Sequence, residues 1–205
     1  MWRRFLDALF PPRSDEAVVR TLETDTFLSL LAPTLISETT PVTIGLLPFS
    51  DTRIRAVIHE AKYHGNDAAF TLLRDVLSEY LRDTDENLAR AVLIPLPLGS
   101  IRRRERGYNQ VESVIARVAH ECDVALASTM LERTRDTVSQ ISLPRTQRLS
   151  NMRGAFAVSP KEGISSATLY ILVDDVITTG ATMQAAIDAL KAAGAVHVLP
   201  LAFAH

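Results

Sequence analysis

The chain has 205 residues, a single cysteine and a formal net charge of −2, with 47% hydrophobic and 22% charged residues. A chain of this length buries roughly 70% of its unfolded surface in one core, so it needs no covalent or metal staple to fold. The near-neutral charge excludes a global basic field for nucleic acid, and the lone Cys122 excludes an intramolecular disulfide and a cysteine-based zinc site.

At the start, Trp2, Phe5, Leu6, Leu9 and Phe10 share one helical face that Pro11 ends. This stripe is expected to pack on the chain's own body rather than on a partner or a membrane. Asp7 and the early Pro11-Pro12 pair depart from the pattern of a signal peptide. No apolar run approaches the ~18 residues a spanning helix requires, so a cytoplasmic protein with no membrane span is expected.

Residues 13–40 are rich in Thr and Glu, have weak periodicity and read as a connector. Residues 42–49 read as a strand, and residues 51–63 as a helix with Ile54, Val57, Ile58 and Ala61 inward, stopped by Gly65. A second helix over 67–81 precedes a strand over 91–94, which Pro95-Leu96-Pro97 closes into a turn. Asn109 is placed to cap a helix over 110–121. Short strands follow near 124–126, 154–158, 169–173 and 195–202, with a helix over 183–193. Strands alternating with helices indicate an α/β fold, an open, twisted, mainly parallel sheet flanked by helices.

The chemistry concentrates in residues 169–182. Residues 169–173 are apolar without alternation, as in a strand buried on both faces, and Asp174 and Asp175 follow at its carboxyl end, where open α/β sheets bind ligands. Thr178, Thr179, Gly180, Ala181 and Thr182 then lead into a helix whose first N–H groups form an anion site. Two carboxylates suit the vicinal diol of a ribose, and a turn of small hydroxyl residues suits a phosphate, with Gly180 and Ala181 letting the main chain approach closely. Hydrogen bonds to a charged group contribute about 1.5–3 kcal/mol each, so a few would hold a monophosphate. The ligand implied is a ribose 5-phosphate. A Walker-type loop is excluded by the missing lysine, and a dinucleotide fingerprint by the missing Gly-x-Gly-x-x-Gly. The plainer alternative is a strand-to-helix turn whose Asp and Thr residues only cap the helix.

The run Val173-Asp174-Asp175-Val176-Ile177-Thr178-Thr179-Gly180-Ala181-Thr182 resembles the phosphoribosyl pyrophosphate (PRPP) signature of type I phosphoribosyltransferases. A second stretch leaves the 91–94 strand on the same expected rim: Pro95-Leu96-Pro97-Leu98, then Arg102, Arg103, Arg104, Glu105, Arg106, Gly107, Tyr108, Asn109 and Gln110. Arginine's planar fork suits a pyrophosphate; a solvated basic helix start is the alternative. This stretch resembles the ComF (GntX-type) branch of that class, as do Ile58-His59-Glu60-Ala61-Lys62-Tyr63-His64-Gly65, Leu131-Glu132-Arg133-Thr134-Arg135-Asp136-Thr137 and Asn151-Met152-Arg153-Gly154-Ala155-Phe156.

The resemblance implies a domain over 43–205, with residues 1–42 an extension or hood in place of the four-cysteine zinc module that members usually carry. It implies ribose binding by Asp174 and Asp175, and 5′-phosphate binding by Thr178, Thr179, Gly180, Ala181 and Thr182. Pyrophosphate binding falls to candidates Lys62, Leu96, Pro97, Leu98, Arg102, Arg103 and Arg106, and a lid to Gln140, Arg145 and Arg148. Mg2+ is the implied cofactor, held mainly by PRPP with Asp174 and Asp175 as the protein's own donors; no zinc is expected. The implied reaction transfers phosphoribosyl to a nitrogenous acceptor that the sequence does not identify. No general base is assigned, because Thr178 stands where some purine enzymes of the class carry an acid. A non-catalytic PRPP-binding factor in DNA uptake during competence, and a module contacting single-stranded DNA or competence proteins, stay open as alternatives.

Overall fold

The computed structural model describes residues 12–134, 152 and 154–205. Helices α1 (Ser14–Thr21) and α2 (Thr24–Leu28) lead to strands β1 (Thr34–Ile36) and β2 (Thr43–Leu47), then to helices α3 (Thr52–His64) and α4 (Asp67–Arg82). Strand β3 (Ala91–Pro95), helices α5 (Ser100–Arg106) and α6 (Gln110–Cys122) and strand β4 (Ala125–Leu126) follow. Strands β5 (Leu131–Arg133), β6 (Phe156–Val158) and β7 (Leu169–Val176), helix α7 (Ala181–Ala192) and strand β8 (His197–Ala204) complete the order.

The main sheet runs β1-β2-β8-β7-β3-β4, with β1 antiparallel at one edge and every other pair parallel. This is the expected α/β architecture, and it agrees with a type I phosphoribosyltransferase-like fold. Alternate residues of the central strands enter opposite cores, as the two-residue period of a strand dictates. Ile171, Val173 and Leu201 meet Val57, Leu77 and Val114 of α3, α4 and α6 on one face. Tyr170, Leu172 and Ala202 meet Met183, Ile187 and Leu190 of α7 on the other.

Local chemistry sets the helix ends. Asp51 caps α3, its side chain accepting from Arg53 N–H at 2.8 Å, and Gly65 ends that helix in the left-handed region at φ 56°. Asn66 caps α4 and Asn109 caps α6, as its position in the sequence predicts. Among the described residues no helix is long and apolar enough to cross a membrane.

Two differences from the sequence reading bear on the architecture. Residues 13–40 are no loose connector: α1, α2 and β1 lie within them, and β1 pairs with β2. The strand at 156–158 does not join the sheet but forms a separate hairpin with the unforeseen β5. Both elements are three residues long, too short to leave a period in the sequence. The stripe from Trp2 to Phe10 lies outside the described residues.

An ion pair between the half-exposed Arg13 and the buried Glu60 holds the start of α1 to α3. Glu60 is fully buried and accepts from Arg13 Nε at 3.1 Å, Arg13 Nη2 at 3.0 Å and Asn66 Nδ2 at 3.0 Å. Burial raises the Glu60 pKa, but these donors outweigh it and the net shift is downward. Its contribution to stability is therefore complete above the unfolded carboxylate range and is lost as pH falls through the folded value. Glu60→Gln is expected to cost roughly 1–3 kcal/mol at neutral pH, since the buried carboxylate's charge-assisted hydrogen bonds are lost. Chemical denaturation should show that deficit shrinking in acid; a deficit independent of pH would contradict the assignment.

Candidate functional site

The site forms where β7 outruns its neighbour. β3 ends at Pro95 opposite Val173, whereas β7 stays paired with β8 as far as Val176 opposite Ala204. Asp174 and Asp175 therefore lie within the last residues of β7, at the carboxyl rim where one flanking strand has already stopped. After the buried Ile177, residues Thr178 to Gly180 turn the chain into α7. Asp174, Val176 and the run from Ile177 to Met183 line one pocket. Thr178 is exposed and Thr179 and Thr182 are half-buried, so the turn is open to solvent. Gly180 offers α7 no side-chain cap, and the N–H groups of a helix start are suited to an anion.

Gly180 is required for a reason additional to close approach of a ligand. Its φ is 68°, and a Cβ there would lie 2.9 Å from Thr39 Cγ2 and 3.0 Å from Glu38 Cβ. The segment before β2 thus braces the turn from behind. Gln184 accepts from Thr40 N–H at 2.7 Å, and Lys191 Nζ donates to Thr40 O at 3.1 Å. Gly180→Ala combines left-handed strain of about 1–2 kcal/mol with a clash, so a loss of at least that size is expected. Equilibrium unfolding measures it, and a variant as stable as the parent would show that the brace yields freely.

The two acids are not equivalent. Asp174 Oδ1 accepts from Asp175 N–H at 2.8 Å, and its other oxygen has no partner among the described residues. Burial, reinforced by the neighbouring Asp175 charge, pushes the Asp174 carboxyl up to about 7 against the opposing pull of its hydrogen bond, Lys62 and Arg102. Asp175 is engaged by the protein itself. Its Oδ1 accepts from Val176 N–H at 2.5 Å, while its Oδ2 faces Lys62 Nζ at 3.0 Å and accepts from Gln110 Nε2.

The structure brings Lys62, Arg106 and the acid pair into one network. Gln110 is 2% exposed and also accepts from Arg106 Nη1 at 3.1 Å, so it bridges Arg106 to Asp175. Arg106 lies over the exposed Tyr63 ring, 4.8 Å from its centroid. Arg102 and Arg103 are exposed on the short helix α5. Leu96 is buried, its N–H donating to Val173 O at 2.9 Å and its carbonyl accepting from Asn109 Nδ2 at 3.1 Å. Pro97 and Leu98 are half-buried beside it. His59 and His64 turn toward α1 and Glu60: His59 Nδ1 lies 2.9 Å from Asp15, and His64 Nε2 lies 3.8 Å from Glu60. Gln140, Arg145 and Arg148 lie outside the described residues.

Gln110 was legible as the first residue of a helix and the end of the basic motif, but not as a residue of the site. Its burial beside an acid follows from β3 and β7 ending on one rim, which no local pattern encodes.

No family model matches the chain. It is 31% identical over 147 residues to DNA utilization protein YhgH of Salmonella typhimurium, a match covering 69% of this chain and 63% of that protein. It is 32% identical over 92 residues to Competence protein F of Haemophilus influenzae, covering 45% and 40% respectively. It is 30% identical over 124 residues to Competence protein ComFC of Streptococcus pneumoniae, covering 60% and 52%. The chain belongs to the ComF family. It spans less than two thirds of the length of each of these relatives.

The ComF-type motifs converge in space. The stretch from Ile58 to Gly65 forms the end of α3, and the stretch from Arg104 to Gln110 joins α5 to α6. Tyr108 ties the two, its hydroxyl donating to Ala61 O at 2.7 Å and accepting from Gly65 N–H at 2.7 Å. Lys62 and Gln110, one from each motif, then meet on Asp175 of the third.

Proposed function

We propose that this protein is a ComF-type phosphoribosyltransferase that binds PRPP with Mg2+ and transfers its phosphoribosyl group to a nitrogenous acceptor. The observation that carries this reading is the open turn from Thr178 to Thr182, set one residue beyond a buried residue and flanked by a carboxylate pair. A 5′-phosphate seated on the turn would accept from the first-turn N–H groups of α7, and the ribose diol would donate to Asp174. Lys62, Arg102 and Arg106 lie on the same rim, where the leaving pyrophosphate would gather negative charge.

The residues present suit Mg2+. It takes hard oxygen ligands, and Asp174 and Asp175 supply adjacent carboxylates. A carboxyl held near 7 is one that a divalent cation would readily deprotonate. Bound there with PRPP, the ion would neutralise charge on the pyrophosphate; the chain's own residues would orient the sugar and keep its anomeric carbon facing the acceptor. That carbon would lose its bond to pyrophosphate oxygen and gain one to the acceptor nitrogen. The acceptor's proton would leave to the departing pyrophosphate or to solvent, since Thr178 carries no carboxylate to take it.

The relatives are named for competence and DNA utilization, which supports a place for this chain in the handling of imported DNA. Those names and the missing general base favour a second reading: a non-catalytic PRPP-binding factor that acts on single-stranded DNA or with competence proteins. Pyrophosphate release separates the two. With PRPP, Mg2+ and a panel of nucleobases and amines, the first reading expects release above the acceptor-free rate for at least one acceptor. Tight PRPP binding without release from any of them would favour the second.

A further inference from the structure

We propose that Lys62 is shared between two halves of the ligand site, latching Asp175 when the site is empty and moving to pyrophosphate when PRPP arrives, so that the pyrophosphate half unlocks the ribose half. The proposal rests on the PRPP reading above. Asp175 does not line the pocket that Asp174 lines. Its Oδ2 is turned to Lys62 Nζ at 3.0 Å and to Gln110, and its Oδ1 to Val176 N–H at 2.5 Å, so both oxygens are engaged. A ribose hydroxyl has to compete with these donors.

The latch is placed to open. The Lys62 and Asp175 side chains are 18% and 17% exposed, so the pair is partly open to solvent. Lys62 sits in the last turn of α3 with three side-chain donors on a flexible stem, whereas Gln110 is buried and fixed at the start of α6. A pyrophosphate carries more negative charge than one carboxylate and would draw the ammonium away. Arg106, which Gln110 holds at 3.1 Å, stays in the same network and would meet the pyrophosphate there. Gln110 is thus a positioning residue, keeping Asp175 and Arg106 in register while Lys62 changes partner. The two halves of PRPP would then bind with positive coupling through one cation.

The test uses the full-length protein and three probes: ribose 5-phosphate, Mg2+-pyrophosphate and PRPP with Mg2+. For the parent protein, saturating Mg2+-pyrophosphate is expected to tighten ribose 5-phosphate binding. Lys62→Met is expected to act with opposite signs, tightening ribose 5-phosphate alone about threefold, the scale of a partly exposed ion pair, while weakening PRPP tenfold or more. The coupling by pyrophosphate should vanish in that variant and persist in Lys62→Arg, which keeps the charge. A thermal melt establishes that each variant is folded. Equal weakening of both sugars, or unchanged ribose 5-phosphate affinity, would overturn the latch while leaving PRPP binding in place. Failure of the parent protein to bind either sugar would overturn it together with the PRPP reading.

Discussion

Asp174→Asn is expected to make the ligand-free protein more stable above neutral pH and to weaken its hold on a ribose phosphate. The Asp174 carboxyl is held at about 7, well above its ordinary 3.8, because burial and the Asp175 charge both disfavour ionisation. Between those two values the folded protein keeps a proton that the unfolded chain has released. Stability therefore falls as pH rises through that window and is lowest above about 7. The amide removes the dependence, so the variant's advantage should be small in mild acid and grow toward pH 8. Binding should move the other way: one charge-assisted hydrogen bond contributes about 1.5–3 kcal/mol, or roughly ten- to a hundredfold in affinity. A melting curve at several pH values and one titration measure both. A variant less stable than the parent at pH 8 would show that Asp174 is held by partners rather than penalised by burial.

Thr179→Glu should have the larger effect on binding. Thr179 is half-buried in the turn directly before Gly180, and α7 begins at Ala181 without a side-chain cap. A carboxylate introduced there would occupy the N–H groups that a 5′-phosphate needs and would also oppose its charge. An acid at a helix N-terminus stabilises by about 0.3–1 kcal/mol, so folding should be unharmed or slightly improved. Ribose 5-phosphate binding is expected to fall more than a hundredfold, the scale of losing two charged hydrogen bonds. Undiminished affinity in a well-folded variant would show that the phosphate does not sit on this turn.

The legible parts of the molecule were those whose causes are local. The caps Asn109 and Gly65, the buried run into Asp174 and the helix after Gly180 each follow from a side chain and its near neighbours. Elements fixed by distant partners were not visible. β1 pairs with the edge that β2 offers, and α1 is docked by Arg13 on Glu60, 47 residues away, and by the buried Val19. The same division runs through the site. The acid pair and the turn can be read from one short segment. Their unequal surroundings cannot, because Lys62 and Gln110 come from two other segments and meet Asp175 only once β3 and β7 share a rim. Gly180 belongs to both groups: its place in a phosphate turn is local, and its contact with Glu38 and Thr39 is not.

Calorimetric titration of the full-length protein with PRPP and Mg2+, run beside the Asp174→Asn variant, tests the central claim most directly. The account predicts a saturable, one-site isotherm for the parent protein and an affinity at least tenfold weaker for the variant. No binding heat up to millimolar PRPP, or equal affinity in the two proteins, would contradict it.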